Sequence, residues 1–412
     1  MRFPSGLRAL NHRDFRVFYA AQLVALTGSW MQTVAQAWLV LQLTDSPLRL
    51  GLIGTLQFSP VLVFALVAGA VVDRLPKRTV LIATQATLAC QAVTIALLVW
   101  TGHAQYWHIC VLATVLGFAN VLDMPARQSF VVELVGRDDL VNGVALNSAA
   151  FNAARIVGPA VAGVLIARVG VAPAFALNSI GFLGVIGALL SMRARGLPRA
   201  RAGTTMLEEI SEGLVYAFRT PVIKVVLGVL LMVGLCVFNF TVYVPLFARH
   251  VLRLGAEGFG FLMASLGVGA VAGALTVGVR ASRQAPLGLM FVSAAISFAG
   301  LLAMAAVRQP WLAAPVLCVI GFFGIVMVAS ANTALQLAAP DALRGRVMSL
   351  YALVYGGIYP IGAFLVGAYS EAWGVPAAFF INGVLGFVGL AALGAWWRHR
   401  LTWGPRHGPH TP

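Results

Sequence analysis

The chain has 412 residues, 60% of them hydrophobic and 10% charged, with a mean hydropathy of +0.89 and a net charge of +15. A water-soluble protein of this length lacks the interior to hide so much apolar surface, so lipid must be the solvent for most of it. In lipid every backbone N–H and C=O has to be paired within the chain, and long apolar runs without strand-like alternation leave helices as the only solution.

Twelve apolar segments follow one another: 15–43, 48–72, 79–100, 106–124, 144–169, 172–192, 222–247, 259–279, 287–307, 311–337, 347–369 and 377–397. With the N-terminus placed in the cytoplasm, 22 of the 28 Lys and Arg fall in loops and tails on that side. Five fall outside (Arg49, Arg168, Arg249, Arg253, Arg308), and Arg155 lies within a segment. Such a bias orients membrane proteins, so both termini are expected in the cytoplasm. It also explains the positive charge by topology, with no nucleic-acid partner. The predicted fold class is an all-α integral membrane protein, twelve transmembrane helices in two pseudo-symmetric six-helix bundles. The predicted divisions are 1–192 for the first bundle, 193–221 for a cytoplasmic linker, 222–397 for the second bundle and 398–412 for a cytoplasmic tail. Cys90, Cys110, Cys236 and Cys318 stand far apart in apolar stretches, which suits neither a disulfide framework nor a metal site.

On the first segment Gln22, Ser29, Thr33 and Gln36 fall within about 60° of one another at helical periodicity. A polar stripe on a spanning helix must face protein or water. Between the second and third segments, Gly69-Ala-Val-Val-Asp73-Arg74-Leu-Pro-Lys77-Arg78 concentrates one acid and three cations. Charges at a membrane edge are costly to carry inward, so this cluster marks a surface loop. Asp123, near the inner end of the fourth segment, has Arg127 one turn away. Arg155 lies about 16 Å into the fifth segment, where a guanidinium needs a partner or a water-filled cavity. Asp123 is the nearest candidate acid, and contact with an anionic or polar substrate is the alternative. In the linker, Thr205-Met-Leu-Glu208 reads as a capping box opening a short amphipathic helix with Leu207, Ile210, Leu214 and Phe218 on one face. Later segments offer Asn239 with Tyr243, Asn332 with Gln336, and the ladder Tyr351, Tyr355 and Tyr359. Amides and phenols among apolar walls suit an amphiphilic organic molecule, although such amides also glue helices together.

The halves echo each other. Gly69…Asp73-Arg74 has a counterpart in Gly278…Ser282-Arg283, 209 residues on (278 minus 69), and the passage to Pro159 resembles that to Pro360. The Gly69–Arg78 spacing resembles the loop between helices two and three of major facilitator superfamily transporters, with Pro76 where that family usually has Gly. Leu10-Asn-His-Arg-Asp-Phe-Arg16, Gly28-Ser-Trp-Met-Gln32, Leu43-Thr-Asp-Ser-Pro47, the stretch from Pro125 to Val135, Ala154–Gly163 and Arg344–Leu350 resemble its drug and siderophore exporter branch.

This resemblance implies a substrate site near the midplane between the halves and transport by alternating access. It gives Asp73 a gating role, bonding the start of helix eleven, and gives Arg74 and Arg78 nearby acceptors, Asp123 among them. Gly158-Pro159-x-x-Ala162-Gly163 resembles the helix-five motif of exporters, so export is favoured over import of a metabolite. A transport-derived sensor or accessory subunit is the remaining alternative. No catalytic constellation and no Walker-type sequence is apparent, so neither an enzyme nor an ATP-driven pump is expected, and no cofactor or metal. The resemblance favours the proton gradient as driving force, yet no Asp or Glu lies at the centre of a segment; Asp123 is the best remaining carrier. A monomer in a bacterial inner membrane, handling a small-molecule substrate, completes the expectation.

Overall fold

The computed structural model describes residues 4–136, 138–194, 196, 214–279 and 287–403. The capping box Thr205–Glu208 with Ile210, and the pair Ser282-Arg283, all singled out in the sequence, lie outside them. Among the described residues a 3-10 turn (Ser5–Asn11) precedes twelve long helices. The first six are α1 (Arg13–Thr44), α2 (Pro47–Arg74), α3 (Lys77–Trp100), α4 (Tyr106–Val135), α5 (Leu140–Val169) and α6 (Ala172–Ser191). The second six are α7 (Pro221–Cys236 and Phe240–Leu246), α8 (Ala256–Val279), α9 (Leu287–Ala306), α10 (Pro310–Ala338), α11 (Asp341–Gly357 and Tyr359–Trp373) and α12 (Val375–Trp403).

Eleven of these are long and apolar enough to cross a membrane. The twelfth, α1, has 32 residues, and its Gln22, Gln32, Gln36, Thr27 and Thr33 lower its hydropathy. Those side chains are satisfied or enclosed by protein, so the helix still spans. Several helices outrun their apolar segments. α4 continues through Pro125 to Val135, eleven residues past the expected end, and α5 starts at Leu140 rather than 144. Polar residues end an apolar segment but not a helix, and a proline needs only its own lost donor accommodated. α7 breaks at Val237–Asn239 and α11 at Ile358, just before Pro360.

Within the first six helices α1 packs on α5 and α6, α3 on α4 and α6, and α2 on α4. Within the second six α8 and α9 pack on α10, and α12 on α9 and α7. The two sets meet along α5–α8 and α2–α11. Twelve passes bring both ends of the chain to one face, hereafter the basic face; the opposite one is the far face.

Candidate functional site

Close backbone approach joins the halves near the far face. A Cβ on Gly51 would lie 2.6 Å from the Ala363 carbonyl and 3.0 Å from Gly367 Cα. A Cβ on Gly260 would lie 2.5 Å from the Pro159 carbonyl and 2.9 Å from Gly163 Cα. Only small residues let helices meet this closely. Polar contacts join the same ends. Glu371 Oε2 accepts from Ser46 Oγ at 2.8 Å and from the Leu48 N–H at 3.0 Å, placing a carboxylate at the positive end of α2. Arg249 donates to Asp45 at 2.5 Å and lies 5.8 Å over the Trp38 ring, while Arg168 stands 3.8 Å from Glu257. Deeper, Thr55 Oγ1 donates to the Pro360 carbonyl and Phe58 rests on Tyr359. The sequence reading missed Asp45, Arg249, Glu257 and Glu371, because their partners lie roughly 90 to 325 residues away.

At the basic face the Gly69–Arg78 loop is tied to the end of α6. Lys77 is only 2% exposed. Its ammonium donates to the Asp73 carbonyl and its N–H to the Gly196 carbonyl at 2.8 Å. Gly196 has φ +66°, and a Cβ there would sit 2.7 Å from Lys77 Cβ. Its N–H donates to Glu133, and Arg78 donates to the Leu190 carbonyl at 3.0 Å. Arg78 therefore reaches α6 rather than Asp123. Asp73 and Arg74 form the last turn of α2, and a Cβ on Gly69 would meet nothing within 4 Å. Nearby, Asp139 binds His12 and Arg8, which hold its carboxyl below the usual carboxylate range.

Asp123 is 2% exposed and saturated with donors: Arg127, Thr84 Oγ1 at 2.9 Å and Gln85 Nε2 at 2.8 Å. Its carboxylate staples α3 to α4. It is not the partner of Arg155, the pairing expected as one possibility; Arg127 takes that place because it sits one turn away on the same helix.

Arg155 instead has an electrostatic neighbour in the other half. It is the sixteenth of the 30 residues of α5, its side chain half-buried, and its guanidinium interacts electrostatically with the Tyr355 hydroxyl. Tyr355 is 41% exposed and its ring lies 5.9 Å from that of Tyr351, the planes 3° apart. Phe238, at the break of α7, meets Tyr355 edge-on at 5.7 Å. Tyr351 is partly buried, and Gln336 donates to Asn332 at 2.5 Å. Four helices thus bring a cation, two stacked phenols and two amides together midway through the bundle and toward the basic face.

Four residues read as cavity-lining lie elsewhere. Gln22 is buried, and Gln36 is buried against Gln57 of α2 at 3.0 Å. Asn239 is enclosed beneath Gly362 and donates to the Leu235 carbonyl at the α7 break. Tyr243 is fully buried, stacked on Phe379 at 4.4 Å. All four are buried within a half, Gln22 without a partner for its amide nitrogen among the described residues. Ser29 and Thr33 bond the carbonyls of Ala25 and Ser29 one turn back. The polar centre of α1 is instead Gln32, which donates to Gln91 at 3.0 Å and accepts from Asn178 at 2.7 Å, tying α3, α1 and α6 together. Gln32 lies outside the 60° stripe, so angle arithmetic passed over it. Gly158 abuts α1 (2.5 Å from a Cβ there to Trp30 Cβ), and Pro159 and Gly163 abut α8, so the helix-five motif packs one helix between two neighbours.

Two six-helix sets that touch along α5–α8 and α2–α11 around a polar, aromatic centre make up the major facilitator fold. The solved nucleoside transporter NupG superposes with a TM-score of 0.72, covering 93% of this chain and 99% of its own at 12% identity. The family profile described as a transmembrane secretion effector matches residues 4–401, and the chain belongs to that family. The multidrug efflux pump Tap of Mycolicibacterium fortuitum is 29% identical over 369 residues, 87% of this chain and 90% of Tap. The enterobactin exporter EntS of Shigella boydii is 26% identical over 360 residues, 87% of this chain and 85% of EntS.

Proposed function

We propose that this protein exports small amphiphilic organic compounds by alternating access, with its basic face in the cytoplasm of a bacterial cell and the proton gradient as driving force. The observation that carries this reading is the half-exposed cluster of Arg155, Tyr351, Tyr355, Asn332 and Gln336, set between halves that close on each other at the far face. Halves packed against each other at the far face are one stage of such a cycle. The roles of Tap and EntS point the same way, as does the cation excess of the basic face. The protein works as a monomer in this reading, since each chain holds both halves of the pathway. Asp123, fully engaged by its three donors, is a staple rather than the proton carrier.

The test is efflux from proteoliposomes of defined orientation loaded with a panel of dyes and antibiotics, with and without an imposed pH gradient. Gradient-dependent movement from the basic face to the far face is expected. Movement only in the opposite direction would make the protein an importer, and gradient-independent movement would remove the proton.

A further inference from the structure

We infer that Arg155, Tyr351 and Tyr355 form a subsite for an anionic group carried on an aromatic skeleton, so that the compounds moved are organic acids. This deepens the exporter reading and rests on it for the word moved.

A guanidinium at the middle of a spanning helix costs several kcal/mol unless water or an opposite charge reaches it. Among the described residues no acid forms an ion pair or hydrogen bond with Arg155. The single described acid well inside a helix, Asp123, is already held by Arg127, Thr84 and Gln85. The side chain of the other half that interacts electrostatically with Arg155 is Tyr355, a phenol rather than an acid.

Depth excludes a lipid headgroup as the missing anion. Residue 155 is about 22 Å along α5 from Leu140, and half the hydrocarbon core is about 15 Å. The anion must therefore arrive inside the bundle as a free molecule. The surroundings state the rest of its chemistry. Tyr351 and Tyr355 present parallel faces 5.9 Å apart, with Phe238 edge-on behind them. Such faces favour a flat ring. A planar guanidinium binds a carboxylate, sulfonate or phenolate through paired donors. Asn332 and Gln336 continue the polar lining toward the basic face. The same cation opposes positively charged drugs.

The test uses the full chain in phosphatidylcholine nanodiscs, which contain no anionic lipid. Equilibrium binding of radiolabelled 2-naphthoate is compared with that of 2-naphthamide, which keeps the ring and loses the charge. At least tenfold tighter binding of the acid is expected for the wild type. Arg155→Gln removes that preference, and Arg155→Lys retains part of it. Equal affinities in the wild type, or a preference that survives Arg155→Gln, overturn the subsite. The wild-type ratio decides even where the Gln variant fails to fold. Gradient-driven flux of both compounds in proteoliposomes separates the two claims. Charge-selective binding without flux would overturn export and keep the subsite; flux without charge preference would do the reverse.

Discussion

Gly260 follows Gly51 by 209 residues (260 minus 51), and each meets a glycine of the opposite half, Gly163 and Gly367, near the far face. The offset equals that between Gly69 and Gly278. The sequence echo between the halves is thus an echo of their interface: α5 meets α8 as α11 meets α2. The carbonyls of Pro159 and Pro360 lie at equivalent seams, one against Gly260, the other accepting from Thr55.

Gly260→Val should hold the far face apart, because its Cβ would stand 2.5 Å from the Pro159 carbonyl. Overpacking of this kind costs about 1–3 kcal/mol, which is roughly a tenfold or greater loss of the closed state. Transport falls accordingly while expression holds. A cysteine placed at Ser46 becomes more reactive to an impermeant maleimide; unchanged reactivity would show that this seam does not close the pathway.

Glu371→Gln removes the charge from the cap on α2. Charge-assisted bonds contribute about 1.5–3 kcal/mol when protected, and exposure here reduces that to about 1 kcal/mol. Hydrogen exchange of the Leu48 amide should rise about fivefold, and high salt should narrow the difference from wild type.

Asp123→Asn leaves Arg127 without its carboxylate in a nearly closed environment, since the Asp123 side chain is 3% exposed and that of Arg127 18%. Breaking such a pair costs about 3–5 kcal/mol, so thermal stability should drop by several degrees. Double substitution with Arg127→Leu should recover part of the loss. Transport per folded molecule retains its response to a pH gradient, because the residue acts as a staple; a gradient response abolished in well-folded protein would restore it as the carrier.

Asp139 gives the chain an acid-sensitive contact at the basic face. Its hydrogen bonds with His12 and Arg8 keep its folded carboxyl below the ordinary value. A depressed carboxyl stabilises the folded contact above its unfolded value, near 4, and loses that contribution as pH falls through the lower folded value. The N-terminal turn Ser5–Asn11, also held by Asn142 accepting from the Ala9 N–H, should loosen over that acid window. Hydrogen exchange at Ala9 in wild type and Asp139→Asn checks this. The variant should exchange faster at neutral pH and show no further change on acidification.

How far the site could be read beforehand depended on distance along the chain. Asp123 and Arg127 are one turn apart, so their pairing was within reach of spacing alone. Tyr351, Tyr355, Asn332 and Gln336 likewise share helical faces, and the structure leaves those faces partly exposed. Gln22, Gln36, Asn239 and Tyr243 satisfied the same angular rule and are buried. Angle arithmetic tells which side chains share a face and is silent on what that face meets.

Composition and cation placement by themselves determined the solvent, the helices, their number and the shared face of the two ends, because in lipid each helix satisfies its own backbone and must be apolar outside. The isolated charge at Arg155 was equally plain. Only the tertiary structure decided that Arg155 interacts electrostatically with Tyr355, that Arg78 holds α6, and that Asp45 meets Arg249 and Ser46 meets Glu371, 204 and 325 residues away. Such contacts follow from how two bundles lean together, and helical periodicity within one segment carries no record of that.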